Sequence, residues 1–140
     1  LDWHLLQYPF HEGIKKTIAD LNHLYKKQPA LYEKQFSQEG FEWINYSDHQ
    51  NAVISFIRKG NNQKDDVVCN FTQIIRPNYR IGQPRKGKLT EIFNSDAIIY
   101  GGSGVVNSKK IAIEAMPYDG RDYSAELTLA PLSVSVFKIT

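Results

Sequence analysis

The chain has 140 residues, 41% hydrophobic and 23% charged, with Lys+Arg 17 against Asp+Glu 15. That is the composition of an ordinary globular domain, long enough to bury a real core. A formal charge of +2 with mixed signs excludes the one-sided basic footprint of a nucleic-acid binder, so the densest patches, "RKGNNQK" and "RPNYRIGQPRKGK", read as solvated loops; no stretch approaches the roughly 18 apolar residues of a membrane span.

The first ten residues, "LDWHLLQYPF", are apolar and aromatic, with no initiator methionine and no visible signal peptide. They read as a cut made inside a longer protein. From Gly13 to Lys27 the apolar residues Ile14, Ile18, Leu21, Leu24 and Tyr25 recur at spacings of three and four. The spacing predicts a helix with one apolar face. Lys26 and Lys27 suit the negative end of its dipole, and Pro29 stops it. A short second helix, "PALYEKQ", is expected from Pro29. The apolar face needs a cover, from the rest of this chain or from a segment upstream of Leu1.

After Gly40 the helical period disappears. "FEWINYS", "NAVISFIRKG", "DVVCNFTQII", "YRIGQ", "KLTEIFN", "IAIEAM", "SAELTLA" and "LSVSVFKI" follow in turn. They are separated by turn signals at Gly60-Asn61-Asn62, Pro77-Asn78, Pro84 to Gly87 and Asp119-Gly120. Ala125, Leu127 and Leu129 alternate with polar neighbours, as do Leu132, Val134 and Val136, so each row is expected on a buried face. Seven or eight short strands at roughly ten-residue spacing predict an antiparallel, Greek-key-like β-sandwich, preceded by one or two helices.

"YGGSGVVN", from Tyr100 to Asn107, has the look of a phosphate cradle. A Walker loop would end in lysine and serine or threonine and open a helix, and a dinucleotide fingerprint needs its glycines spaced two and three apart. Here the spacing is wrong and a strand pattern follows, so the run reads as an inter-strand loop. Cys69, the one cysteine, lies in an apolar run and reads as a small buried hydrophobe in a reducing, cytoplasmic setting. His4, His11, His23 and His49 lack metal-site spacing, so neither a metal nor a cofactor is expected. The carboxylates are scattered and read as surface groups. Asn45-Tyr46-Ser47 and Asn70-Phe71-Thr72 match the glycosylation triplet, although Asn70 falls in a core strand pattern. "FEWINY" places Phe41, Trp43 and Asn45 on one strand face, with Glu42 and Ile44 on the other. A tryptophan on a wet sheet face offers a flat apolar platform with an N–H donor. That makes Trp43, with Asn45 beside it, the candidate pair for stacking on a sugar ring; the competing reading packs Trp43 against the helices or the core.

Taken in order, these pieces resemble the end of bacterial 1,4-alpha-glucan (glycogen) branching enzymes. The shared flow is "DW.LL", "DLN.LY", "PAL" and "GFEWI", then "NFT" at Asn70 to Thr72 and "YR.G.P" from Tyr79 to Pro84. "NSDA..YGGSG" follows from Asn94 to Gly104, with "L.L.PLS" near the C-terminus. Each piece is weak, but the ordered set covers nearly the whole chain. The resemblance implies the alpha-amylase superfamily plan: an N-terminal sandwich, a catalytic (β/α)8 barrel and a C-terminal sandwich. Residues 1–39 would then be the helical end of the barrel domain and 40–140 the C-terminal all-β domain. It implies an enzyme that moves an α-1,4-glucan segment to a 6-hydroxyl, with its catalytic carboxylates on barrel strands upstream of Leu1. No residue of this chain is then catalytic, and the chain alone is expected to be inactive. Its partners would be the upstream barrel and an alpha-glucan. A stand-alone carbohydrate-binding sandwich is the alternative reading.

Overall fold

Proline sets both ends of the helical segment in the computed structural model, which describes all residues 1–140. After a 3-10 turn at Trp3–Gln7, helix α1 spans Pro9–Lys27. It starts four residues before the apolar period because Pro9 fits the first helical turn, where its missing N–H costs nothing. Gln28 then takes an extended conformation before Pro29. Helix α2 is one turn, Pro29–Tyr32, shorter than "PALYEKQ" suggested. The change to extended backbone falls at the 3-10 turn Gln38–Gly40. No helix is long and apolar enough to cross a membrane.

Eight strands follow: β1 (Phe41–Asp48), β2 (Val53–Lys59), β3 (Lys64–Asn70), β4 (Arg76–Gln83), β5 (Gly87–Asn94), β6 (Ile111–Ile113), β7 (Tyr123–Leu129) and β8 (Ser133–Ile139). All pairings are antiparallel. Six strands form one sheet in the order β1-β2-β3-β8-β5-β6, and β4-β7 form a second, smaller sheet. The expected sandwich is therefore present, as six strands against two. Its core lies between the sheets and includes Ile44, Val53, Ile57, Val68, Ile81, Leu89, Leu127, Leu129 and Phe137.

The large sheet is partly covered on its outer face as well. Val67, Cys69, Phe93 and Val136 form a second cluster there, with Leu24 of α1 and Tyr100 packed against it. This double cover corrects one expectation. Leu132 and Val134 do not point into the sandwich and are exposed, while Ser133, Ser135, Phe137 and Ile139 of β8 are buried. β8 lies inside the sheet, between β3 and β5. A strand covered on both faces carries apolar residues in both rows, so alternation cannot name its inner one.

A second correction concerns β1. Trp43 pairs with Phe56, but Asn45 pairs with Ser55, so Ile44 and Asn45 together oppose one residue of β2. This β-bulge switches the facing of the residues that follow it, until a second register shift between Asn45 and Asp48. Phe41 and Trp43 stay on the outer face, whereas Asn45 turns to the inner side with Ile44.

Candidate functional site

The glycine-rich loop and the bulged strand β1 are two places where the chain departs from plain alternation. The loop is folded around a carboxylate of its own. Asp96, only 8% exposed, accepts hydrogen bonds from the Ser103 N–H (2.9 Å), the Ser103 hydroxyl (2.6 Å) and the Val105 N–H (2.9 Å). Its backbone carbonyl accepts the Gly104 N–H at 2.8 Å. Burial works against ionisation of Asp96, but these donors outweigh it and hold the carboxyl below its ordinary range. The run does cradle an anion, and the anion is the chain's own.

Glycine is required where the turns are tightest. Gly101 and Gly104 have φ of 86° and 85°, in the left-handed region. A side chain on Gly102 would bring its Cβ to 2.1 Å from the Asp96 carbonyl oxygen. The loop in turn holds α1. The Tyr100 hydroxyl donates to Asp20 at 2.6 Å, and the Tyr100 ring lies 5.6 Å from that of Phe93. Burial, then the Asp20 carboxylate, push the Tyr100 phenol up to about 12. Gly13 of α1 is buried, where a Cβ would sit 2.5 Å from the Tyr100 carbonyl oxygen.

The helix thus meets the sandwich through Gly13, Asp20 and Leu24. Of the predicted apolar face only Leu24 is engaged: Ile14 is 60% exposed and Ile18 56%, with Leu21 and Tyr25 also exposed. Phe10, Ile98 and Ile99 are exposed as well. A groove of about 330 Å³ beside the loop is lined by Glu91, Phe93, Asn94, Tyr100, Asn107 and Ser108. Its wall carries a carboxylate and no cationic side chain, the wrong polarity for phosphate. Glu91 there accepts hydrogen bonds from Asn94 and from both the backbone and side chain of Asn107.

Trp43 lies on the outer face of the edge strand β1, and its side chain remains accessible, at 44% exposure. It packs in part on sheet neighbours. Its ring is 4.9 Å from Phe41, 5.8 Å from Phe56 and 5.5 Å from Tyr46. Tyr46 is 65% exposed, and Phe41 is exposed too. The result is a corner of accessible rings braced from below by Phe56, able to offer flat apolar surface. Tyr46 was not legible as a member of this corner, because only the bulge returns it to Trp43's side.

Asn45 does not join Trp43. Its amide donates to Asp119 at 3.0 Å, and its carbonyl oxygen accepts from the Ser47 N–H and hydroxyl. Asn70 makes the same local turn, accepting from the Thr72 N–H and hydroxyl. Its amide donates to the Ile74 and Ala130 carbonyls. Both glycosylation-like triplets therefore make local Asx bonds, within β1 and at the end of β3, the hydroxyl residue serving the asparagine. Cys69 is buried, and burial pushes its thiol up, away from nucleophile behaviour. No three metal-ligating side chains gather into a cluster.

An antiparallel sandwich of six strands against two behind a helical lead-in places the chain in the class of all-β sandwich domains. More particularly, the chain belongs to the alpha amylase C-terminal all-beta domain family, whose pattern matches residues 43–140. It is 50% identical over 141 residues to the 1,4-alpha-glucan branching enzyme GlgB of Thermosynechococcus vestitus, covering 99% of this chain and 18% of that enzyme. To GlgB of Aquifex aeolicus it is 48% identical over 140 residues, covering 99% and 22%. The chain thus spans about a fifth of the length of these relatives. Among solved structures, the isomaltulose synthase (PalI) of Klebsiella sp. LX3 superposes with a TM-score of 0.51 at 16% identity, covering 86% of this chain and 16% of that one. The alpha-amylase of H. orenii gives 0.50 at 18% identity, covering 89% and 20%. At that identity the likeness speaks for the fold alone.

Proposed function

We propose that the chain is the C-terminal end of a 1,4-alpha-glucan branching enzyme, the last helical piece of the catalytic domain followed by its auxiliary sandwich. The observation that carries this is near-50% identity across 99% of the chain to enzymes of that name. The chemistry belongs to the upstream barrel, where a retaining pair of carboxylates cuts an α-1,4 bond and passes the segment to a 6-hydroxyl. The exposed row Ile14, Ile18, Leu21 and Tyr25 on α1 supports a docking role. An apolar helix face of this kind needs a cover, and the upstream domain of the same protein supplies it. The accessible rings of Trp43 and Tyr46 support a second role, an outlying stacking site for glucose rings.

The experiment compares this chain with the longer protein that continues upstream of Leu1. Incubated with amylose, the longer protein is expected to create α-1,6 linkages and the 140-residue chain none. Shortening of amylose without new branches by the longer protein overturns the reading. Ile18→Asp is expected to lower the melting temperature of the longer protein and leave that of the chain alone unchanged; equal shifts in both remove the docking role.

A further inference from the structure

Two acidic residues of β3, Asp65 and Asp66, are fully buried. Asp65, exposed to neither side, is held by the Gln63 amide at 3.0 Å. Asp66 pairs in register with Ile57 on one side and Phe137 on the other. Both of those are core residues between the sheets, so Asp66 points into the sandwich. There it meets Gln83 of β4, also fully buried, whose side-chain nitrogen lies 2.5 Å from Asp66 Oδ2. The contact crosses from the six-stranded sheet to the two-stranded one.

The other half of the contact does not balance for an ionised carboxylate. Asp66 Oδ1 and Gln83 Oε1 are both buried without a hydrogen-bond partner. Two unpaired buried oxygens on two groups already joined is a costly arrangement. One proton resolves both: a neutral Asp66 carboxyl donates O–H to the amide oxygen and accepts N–H from the amide nitrogen, closing a two-bond ring. Turning the amide over leads to the same answer. It would put two oxygens 2.5 Å apart, a spacing that suits O–H···O and no unprotonated pair.

The surrounding charges do not supply an alternative. Arg121, in the turn before β7, is the cation whose field reaches Asp66. It is engaged by the Glu42 carboxylate of β1 and the Trp43 carbonyl. Lys59 of β2 is also on Glu42, at 2.6 Å. Lys138 of β8 acts on Asp65, and Asp65 itself disfavours a second charge next to it. Asp122 and Tyr123 line the cavity that Gln83 borders and add no positive charge.

From this geometry we infer that Asp66 is held protonated as the acid half of an acid–amide pair with Gln83, and that this buried proton links the two sheets of the sandwich. Burial and the neighbouring Asp65 push the carboxyl up to about 7 from its ordinary 3.8, against the favourable Gln83 bond. The sign follows. Between those two values the folded state holds a proton that the unfolded chain releases, so folding stability falls as pH rises toward 7 and levels off above it. The carboxyls held below their ordinary range, Glu42, Asp48 and Asp96, act at more acid pH and with the opposite sign. A sandwich tightest under mildly acid conditions, loosening where its clamp ionises, is the consequence.

Asp66→Asn tests it, because an asparagine reproduces the neutral pair, donating to Gln83 Oε1 and accepting from Nε2 at any pH. In urea unfolding of the chain between about pH 5 and about pH 8, the wild-type midpoint is expected to drop more steeply than that of D66N. At the upper end D66N is expected to be the more stable protein. Parallel pH profiles overturn the inference. Carbon-13 NMR of the wild-type Asp66 carboxyl decides independently of whether D66N folds. A titration near neutrality supports the buried proton, and a carboxylate signal already complete at about pH 5 removes it.

Discussion

The loop at 96–107 and the aromatic corner of β1 are opposite solutions to the same demand, that a sheet edge or crossing carry more than strand. In the loop the polar side chains turn to the chain itself: the Asp96 carboxylate takes three donors, and Tyr100 reaches α1. At the corner the side chain of Asn45 makes the tie, to Asp119, and the rings are left facing water. Resemblance to an anion-binding motif was strongest where the anion is the chain's own Asp96. In this chain glycine content marks backbone crowding.

Removing Asp96 should break the loop side of this comparison hardest. Asp96→Ala leaves the Ser103 and Val105 amides and the Ser103 hydroxyl without their acceptor, and is expected to cost about 3–4 kcal/mol in chemical unfolding. The wild-type bond set also has a pH signature. A carboxyl depressed on folding contributes stability above its ordinary value and loses it as pH falls through the folded one. Unfolding midpoints should therefore decline below about pH 4, and less so in Asp96→Asn. A variant within about 0.5 kcal/mol of wild type would show that the loop is not organised by its carboxylate.

Gly13→Ala comes next and has a sharp sign. Helix propensity alone predicts a gain of about 1 kcal/mol for alanine over glycine inside a helix. The approach of the Tyr100 carbonyl to within 2.5 Å of the new Cβ predicts a net loss, about 2 kcal/mol, together with weaker protection of α1 amides from hydrogen exchange. A stabilised Gly13→Ala would mean that the loop does not seat the helix.

The contrast also marks how much was legible beforehand. The strands and the helix ahead of them follow from apolar spacing, β-rich runs and the turn residues between them. What period could not give was facing, at two points. The bulge at Ile44 and Asn45 costs one residue of register and separates Asn45 from Trp43. The double cover of β8 hides its inner row behind an apolar outer one. The Asp96 receptor was invisible for another reason: its donors lie seven to nine residues on, and only left-handed glycines fold them back. The apolar face of α1 divides: Leu24 packs on the sandwich beside Gly13 and Asp20, while Ile14, Ile18, Leu21 and Tyr25 stay exposed. A small residue permits closer approach than an apolar one demands.

Trp43→Ala should have the smallest effect on folding and the most selective effect on function. The ring is already 44% exposed, so its truncation gives up about half of a full burial contribution and its edge contacts with Phe41 and Phe56, about 1 kcal/mol in all. If the corner holds a glucan, the longer enzyme carrying this change should lose about threefold to tenfold in apparent affinity for long glucans, since one stacked ring supplies little against the cost of ordering a flexible chain. Short glucans that reach only the catalytic groove should be handled as before, and Trp43→Phe, which keeps a flat face, should recover part of the loss. Equal losses on long and short substrates would trace the effect to folding, and no loss on either would leave the rings as packing for β1. Asn45→Ala separates the two residues once joined as a pair: it breaks the tie to Asp119 and should lower stability without changing the ratio of long to short activity. The bulge turns these neighbours to opposite faces, the asparagine tied to Asp119 and the tryptophan left accessible, so the two variants should part in what they change.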